Sequence, residues 1–223
     1  MARVIILTNW TRFCISGVPS LDISYRGNYF GVLYPVYHTV HDTYKWLQGL
    51  IDPKFDYHLS STRLASRILM NTADTLVLPF DVSQYGISLT KSLTTLKSKY
   101  GAELKQNNIT LDAIKGAIQE YTKAAEKFKK ENESAMDVKS DIELRDFNDR
   151  MVNVEKAFIY PYGLPNQPYR RHLVYRTTSF PGISYLMVNT NKTSDDWQGI
   201  KRQISILYKA ISEATAALLP DAK

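Results

Sequence analysis

Two histidines and an acid lie close together in the segment YPVYHTVHDTYKWL, residues 34–47. His38, His41 and Asp42 are three and four positions apart, a spacing that places side chains on one face of a helix. Imidazole and carboxylate groups are zinc ligands, but a zinc site needs four ligand positions at short distances. The chain has four histidines and one cysteine in all. Taken alone, the spacing therefore favours a solvent-facing helix surface over a self-contained zinc site.

Length and composition predict a globular chain of one domain, or of one domain and a fragment. The 223 residues are 44% hydrophobic, which is enough to form a substantial core. The net charge of +6 comes from basic residues dispersed among 22 acids. Short basic clusters such as Lys127, Lys129 and Lys130 are typical of solvated surfaces, so we do not expect nucleic-acid binding.

The sequence gives conflicting indications of compartment. The first residues, MARVIILTNW, are too short an apolar run for a signal peptide, and no later stretch reaches the length of a membrane span. Four N-x-[ST] sequons nevertheless favour an extracytoplasmic protein: Asn9, Asn108, Asn132 and Asn191. The conflict disappears if the chain is part of a larger secreted or membrane-anchored protein.

The order of predicted elements is a short strand followed by helices. The segment GVPSLDISY, residues 17–25, alternates like a strand, and RGNYFGVLYP after it has the composition of a loop. Helical patterns dominate from Thr39 onward, separated by Pro53, Pro79 and the segment YPYGLPNQPYRR. The predicted helices cover residues 39–50, 55–77, 83–103, 110–131, 140–159 and 195–218.

Three of these helices carry regular apolar stripes, which predict a helical bundle. Their members recur every three or four residues: Leu111, Ile114, Ile118, Tyr121, Ala125 and Phe128; Leu144, Phe147, Met151, Val154 and Phe158; Trp197, Ile200, Ile204, Leu207, Ile211, Ala214 and Leu218. With the apolar run around Leu64, Ile68 and Leu76, these stripes exceed what a small monomeric bundle needs. The surplus predicts an oligomer interface.

Five ordered segments carry a family resemblance that spans about residues 17–218. They are YPVYHTVHDTYKWLQGLIDPKFDYH, LVLPFDVSQY, LRDFNDRMVNVEKAFIYPYGLPNQPYRRHLVY, SFPGI and WQGIKRQIS. Together they resemble the C-terminal part of glutamate carboxypeptidase II and its relatives, the zinc peptidases related to the transferrin receptor. Residues 1–16 lie outside the resemblance.

The resemblance implies a mainly α fold in two unequal parts. Residues 1–50 would be the strand, loop and helix that close an α/β zinc peptidase domain. Residues 51–223 would be a helical bundle, the transferrin receptor-like dimerisation domain. Homodimerisation through the helical region is therefore expected, and the family implies an extracellular or membrane-anchored ectodomain as the location of the parent protein.

The resemblance also assigns roles to two residues of the opening segment. His38 matches the last ligand of the family's two-zinc site, and Tyr37 matches a tyrosine that contacts the substrate's tetrahedral intermediate. His41 and Asp42 match no ligand, so the helix-surface interpretation stands for them. Because a zinc pair needs several more ligands and a base, we expect this chain to bind no zinc stably and to be inactive alone.

Two departures from the pattern bear on the substrate. Leu21, Asp22, Ile23 and Ser24 stand where glutamate carboxypeptidase II has a Gly-Arg-Ala-Arg stretch that serves acidic parts of its substrate. The loop that supplies a Lys-Tyr pair to the glutamate pocket is missing, since VYRTT runs directly into SFPGI. An acidic side chain would enter such a pocket uncompensated, so strict glutamate specificity is not expected. GVPSLDISY is closer to the aminopeptidase-like members.

Three functions remain open at this point. The chain is the dimerisation portion of a zinc peptidase that contributes Tyr37 and His38 to a site built elsewhere. Alternatively, it belongs to a longer, active zinc exopeptidase of carboxypeptidase, aminopeptidase or dipeptidase type that cleaves peptides. The third function is a receptor-like module that binds another protein through the bundle surface.

Overall fold

The chain folds into two compact units, which are considered separately. The computed structural model describes residues 3–7, 17–18, 22–26, 34–135, 140–174 and 179–220. Unit 1 comprises residues 1–9 and 20–76, and unit 2 comprises residues 10–19 and 77–223. The division between residues 50 and 51 that the resemblance implies stays a prediction.

Unit 1 contains a two-stranded antiparallel sheet and two helical segments. Strand β1 (Arg3–Leu7) pairs with β2 (Asp22–Arg26), with Arg3 opposite Arg26. Helix α1 (Tyr44–Trp46) continues into a π-helical turn (Leu47–Ile51), and α2 (Asp56–Asp74) lies against β2. The predicted strand at 17–25 thus begins only at Asp22, and Gly17 lies in a turn with φ of 67°.

Unit 2 is a bundle of five helices in the described residues, which confirms the mainly α fold. The helices are α3 (Ser83–Gln106), α4 (Asp112–Ala135), α5 (Asp141–Ala157), α6 (Pro181–Met187) and α7 (Ser194–Ala217). Ser140 and Thr193 cap α5 and α7 by accepting hydrogen bonds from the N–H groups of Glu143 and Asp196, whose side chains bond back to the cap. These capping boxes fix where both helices start.

Helices α4 and α7 form the centre of the bundle. Helix α4 packs against α3 and α7, and α7 packs also against α5 and α6. Every residue of the predicted stripe on α4 is buried, and so are most of those on α5 and α7, including Phe147, Val154, Ile200 and Ile211. The three predicted stripes therefore face the core of unit 2 and leave no surplus of their own, whereas Leu64 and Leu76 of the fourth apolar run are exposed.

The start of the helix predicted at 39–50 was wrong, because the helical residues run from Tyr44 to Ile51. Thr43 has an extended backbone, with φ of −120° and ψ of 158°, which a helix cannot pass through. The Thr43 side chain accepts a hydrogen bond from the N–H of Trp46 at 3.3 Å and so starts the helix. Helix α6 was not predicted at all, although Pro181 at its first position is a common helix start.

Two ionisable pairs, the first of them largely buried, connect segments of unit 2. His172 Nε2 lies 3.1 Å from Glu155 Oε1, and the N–H of Val174 donates to His172 Nδ1 at 3.1 Å. Since Nδ1 accepts, Nε2 carries the proton and donates to Glu155. Lys192 Nζ lies 2.6 Å from Glu103 Oε1, which joins the segment before α7 to α3.

Candidate functional site

The segment that carries Tyr37 and His38 is a series of turns rather than a helix face. The N–H of Tyr37 donates to the carbonyl of Tyr34 at 3.1 Å, and the N–H of Thr39 donates to the carbonyl of Val36 at 3.0 Å. The N–H of Asp42 then donates to the carbonyl of Thr39 at 3.2 Å. These short-range bonds define the loop that precedes α1, residues 34–43, which we call the Tyr37 loop.

Tyr37 and His38 form one stacked pair on this loop. Their ring centroids are 3.8 Å apart with an interplanar angle of 22°. Both side chains are exposed, Tyr37 to 38%. The backbone of His38 is left-handed, a conformation that is common in tight turns. The loop therefore presents a phenol hydroxyl and an imidazole together at the surface.

His41 and Asp42 do not share a face with His38. Asp42 Oδ2 accepts a hydrogen bond from the hydroxyl of Tyr34, while the backbone N–H of His41 donates to Thr39 Oγ1 at 3.2 Å. The bond to the Asp42 carboxylate, with a smaller contribution from burial, raises the pKa of Tyr34 above its ordinary value. The expectation of a helix surface carrying these three residues is replaced by a loop in which Asp42 has a specific partner.

Tyr34 is the residue of this loop that sequence reasoning did not single out. Its ring packs edge-on against Tyr37, with centroids 5.3 Å apart, and stacks on Trp46 of α1 at 5.6 Å. No periodic pattern relates Tyr34 to Asp42, eight positions away. The quoted segment does contain three aromatic rings within five residues when the histidine is counted, which was the available signal.

The described residues include no cluster at this place that could hold a zinc pair. Within residues 34–135, 140–174 and the other described ranges, no group of three or more His, Cys, Asp and Glu side chains is close enough to bind a metal ion. His58 and His172 are paired with Asp52 and Glu155. Any part that His38 has in a zinc site would thus be that of a single donor, with the other ligands supplied by groups outside the described residues.

The sequons lie in different surroundings. Asn108 and Asn191 are exposed, Asn108 just after α3 with φ of 55° and Asn191 just before α7. Asn132 lies inside α4, and Asn9 lies outside the described residues. Lys192, next to Asn191, contacts Glu103 near the end of α3, so both exposed sequons lie at the same end of unit 2.

Comparison with known proteins agrees with this architecture. The family model of the transferrin receptor-like dimerisation domain matches residues 109–219, which extend from the start of α4 to the end of α7. Aminopeptidase NAALADL1 of Rattus norvegicus is 29% identical over 92% of this chain and 29% of its own length. The probable glutamate carboxypeptidase LAMP1 of Arabidopsis thaliana is 29% identical over 91% of this chain and 29% of its own.

A receptor is similar to a shorter part of the chain. Transferrin receptor protein 2 of Rattus norvegicus is 30% identical over 71% of this chain and 19% of its own length. The chain spans about three tenths of the length of the first curated relatives that it matches, 29% in each case.

Fold and comparisons together define a helical dimerisation domain of a peptidase family. Residues 109–219 match the transferrin receptor-like dimerisation domain, and the chain is similar to proteins named as an aminopeptidase and as probable glutamate carboxypeptidases, as the resemblance implied. No helix in the described part of the chain has the length and apolar composition that a membrane crossing requires.

Proposed function

We propose that this chain is the dimerisation module of a glutamate carboxypeptidase-like zinc metallopeptidase and forms a two-fold homodimer. The observation that carries the proposal is the family match over residues 109–219, which covers the four-helix run from α4 to α7. A two-fold interface is self-complementary, so one surface patch on each copy is sufficient. The apolar stripes do not support the dimer, since they are used inside unit 2.

The same proposal assigns Tyr37 and His38 to the edge of a peptidase site completed by groups outside the described residues. What supports it is that both side chains are exposed and stacked on one loop, free of the core. A zinc pair, once bound by the completed site, would activate water for peptide hydrolysis. His38 would supply one nitrogen donor, and the Tyr37 hydroxyl could donate to developing negative charge on the substrate.

The substrate in this proposal is a peptide cleaved at one end. Relatives named as an aminopeptidase and as probable glutamate carboxypeptidases match with equal identity, 29% in each case. The residues at 21–24 lack the arginines that would compensate an acidic side chain, which favours the aminopeptidase type. N-linked glycans at Asn108 and Asn191 are compatible with this role, because both residues are exposed.

Sedimentation equilibrium of the purified chain tests the dimer. We expect a single species at twice 25.5 kDa. A clean monomer at concentrations in the tens of micromolar would contradict the proposal, and a ladder of larger species would show nonspecific association of exposed apolar surface. Metal analysis of the same sample should give less than one zinc per chain, because two zincs per chain would show a complete site.

The contribution of His38 is tested in a chimera in which this chain replaces the matched segment of the rat aminopeptidase NAALADL1. His38→Ala should lower the zinc content and abolish peptidase activity. His41→Ala is the matched control, because the proposal assigns no zinc-binding role to the His41 imidazole. Its removal should leave zinc content and peptidase activity nearly unchanged. Equal losses in both variants would show that His38 has no special role.

A further inference from the structure

The Tyr37 loop is held by its own contacts rather than by burial. Tyr37 and His38 are exposed, and none of the residues 34–46 is buried. An exposed loop of this kind is ordinarily mobile, because few apolar contacts restrain it. The stacked arrangement of Tyr37 and His38 therefore needs a restraint inside the loop itself.

The restraint that spans the whole loop is the hydrogen bond from the Tyr34 hydroxyl to Asp42 Oδ2. It joins residues eight positions apart, whereas the loop's backbone bonds join residues only two or three positions apart. A neutral donor bound to a carboxylate forms a charge-assisted bond, which is stronger than a bond between two neutral groups. Its geometry closes the loop around the two residues of the proposed site.

The Tyr34 ring also links the loop to α1. One side of the ring meets the edge of Tyr37 at 5.3 Å, and the ring stacks on Trp46 at 5.6 Å with an interplanar angle of 23°. Trp46 is in turn fixed by the Thr43 cap, which accepts its N–H. Aromatic pairs at these distances contribute about 0.5–1.5 kcal/mol beyond their buried area.

We infer that Tyr34 and Asp42 are positioning residues, which act as a clasp that holds Tyr37 and His38 as one stacked pair. The use of the clasp rests on the proposed function, because only a completed site needs the phenol and the imidazole in fixed positions. Catalytic groups must be held within about 0.5 Å of their productive geometry, and neighbours that lock their rotamers achieve this. Asp42, which matches no ligand, thereby gains a role of its own.

The inference is tested by nuclear magnetic resonance of the histidine ring protons in the full chain, which has four histidines. A ring stacked at 3.8 Å shifts the His38 ring protons upfield, and the variant Tyr37→Leu defines their position without that ring. Tyr34→Phe, which keeps the aromatic ring and removes only the hydroxyl, should move the signals to the Tyr37→Leu position. Unchanged His172 signals verify that unit 2 remains folded.

Two further variants separate the clasp from a general effect of mutation. Asp42→Asn keeps an oxygen acceptor and should retain most of the upfield shift, whereas Asp42→Leu should lose it. His41→Ala should leave it unchanged. If Tyr34→Phe and Asp42→Leu both keep the wild-type shift, or if the wild type shows none, the inference is overturned.

This experiment is independent of the dimer and of zinc. A monomeric chain or an inactive chimera would overturn the proposed function and leave the ring-proton result to decide the clasp. In an active chimera, Tyr34→Phe should lower kcat more than it changes KM, whereas Asp42→Asn should keep most of the wild-type rate. If Tyr34→Phe leaves kcat of the chimera unchanged, the clasp has no role in the reaction.

Discussion

The carboxylate of Asp52 lies 2.7 Å from Nδ1 of His58 and forms the cap of helix α2. It also accepts the backbone N–H groups of Tyr57 and His58, at 3.3 and 3.0 Å. The residue that directly precedes α2, Phe55, has φ of 57° and provides no side-chain cap. Asp52, 2% exposed, therefore supplies the anion at the positive end of the helix.

This relationship predicts that α2 loses stability in acid. Burial raises the pKa of Asp52, but the hydrogen bonds from the His58 side chain and from the His58 and Tyr57 backbone outweigh it, so the pKa lies below its ordinary value. A lowered pKa means that the stabilisation is present above the ordinary pKa and is lost as the pH falls through the folded-state pKa.

Amide hydrogen exchange in α2 measures this effect between about pH 5 and about pH 2, after correction for the intrinsic pH dependence of exchange. Protection should decrease with acid in the wild type, and Asp52→Asn should be less protected at the higher pH and lose this dependence. Asp74→Asn, at the other end of α2, is the control and should keep the wild-type profile. Identical profiles for wild type and Asp52→Asn would contradict the role of the cap.

Gly163→Ala should destabilise unit 2. Gly163 has φ of 73°, and an added Cβ would lie 2.3 Å from the carbonyl oxygen of Pro168. Both the left-handed backbone and the contact with backbone atoms oppose a side chain, so we expect a loss of about 2 kcal/mol or more in the free energy of unfolding.

Gly116→Ala is the control, because nothing lies within 4 Å of its added Cβ. In the interior of α4, alanine should stabilise by about 0.5–1 kcal/mol. Urea unfolding that ranks the two variants in the opposite order would contradict the geometry of this loop.

Lys192→Met should lower the stability of unit 2 although it replaces a charged residue by an apolar one. The side chain of Lys192 is 3% exposed, and its ammonium group donates to Glu103 and, at 2.6 Å, to the carbonyl of Asn189. Glu103 is 39% exposed and Asn189 is also exposed, so solvent screens the ion pair, and the loss reflects both hydrogen bonds of the ammonium group. We expect urea unfolding to show a loss of about 1–3 kcal/mol in the free energy of unfolding.

Lys209→Met, at a position 77% exposed, is the control and should stay within about 0.5 kcal/mol of wild type. Similar values for both would show that the contact is not stabilising.

Thr193→Ala should weaken the start of α7. The Thr193 hydroxyl oxygen accepts the N–H of Asp196 at 3.3 Å, and Asp196 accepts the backbone N–H of Thr193 at 2.8 Å. Loss of an N-cap of this kind costs about 1 kcal/mol. Thr94→Ala, on the exposed surface of α3, removes the same atoms without removing a cap and should be neutral or slightly stabilising because alanine favours helix. Thermal unfolding of the two variants gives the comparison, and an equal loss in both would contradict the capping role.

The long helices of unit 2 were predictable because each one carries a continuous amphipathic pattern. Residues 110–131 predicted α4, which spans Asp112–Ala135, and residues 195–218 predicted α7, which spans Ser194–Ala217. Helix α6 has seven residues, too few for a period of 3.6 to be recognised. The helix expected at 39–50 starts late, at Tyr44, because spacing alone does not reveal that Thr43 is an extended N-cap.

By itself, the sequence determined the positions of the long helices, the mainly α class and the resemblance to the peptidase family. These depend on local periodicity and on ordered motifs, which can be read along the chain. The tertiary structure decided which surfaces meet. All three apolar stripes pack into one core, and Lys192 contacts Glu103, which is 89 positions away in the sequence. The tertiary structure also paired Asp42 with Tyr34. Periodicity shows which face of a helix is apolar but carries no information about what covers that face, because contacts between distant residues depend on how whole elements pack.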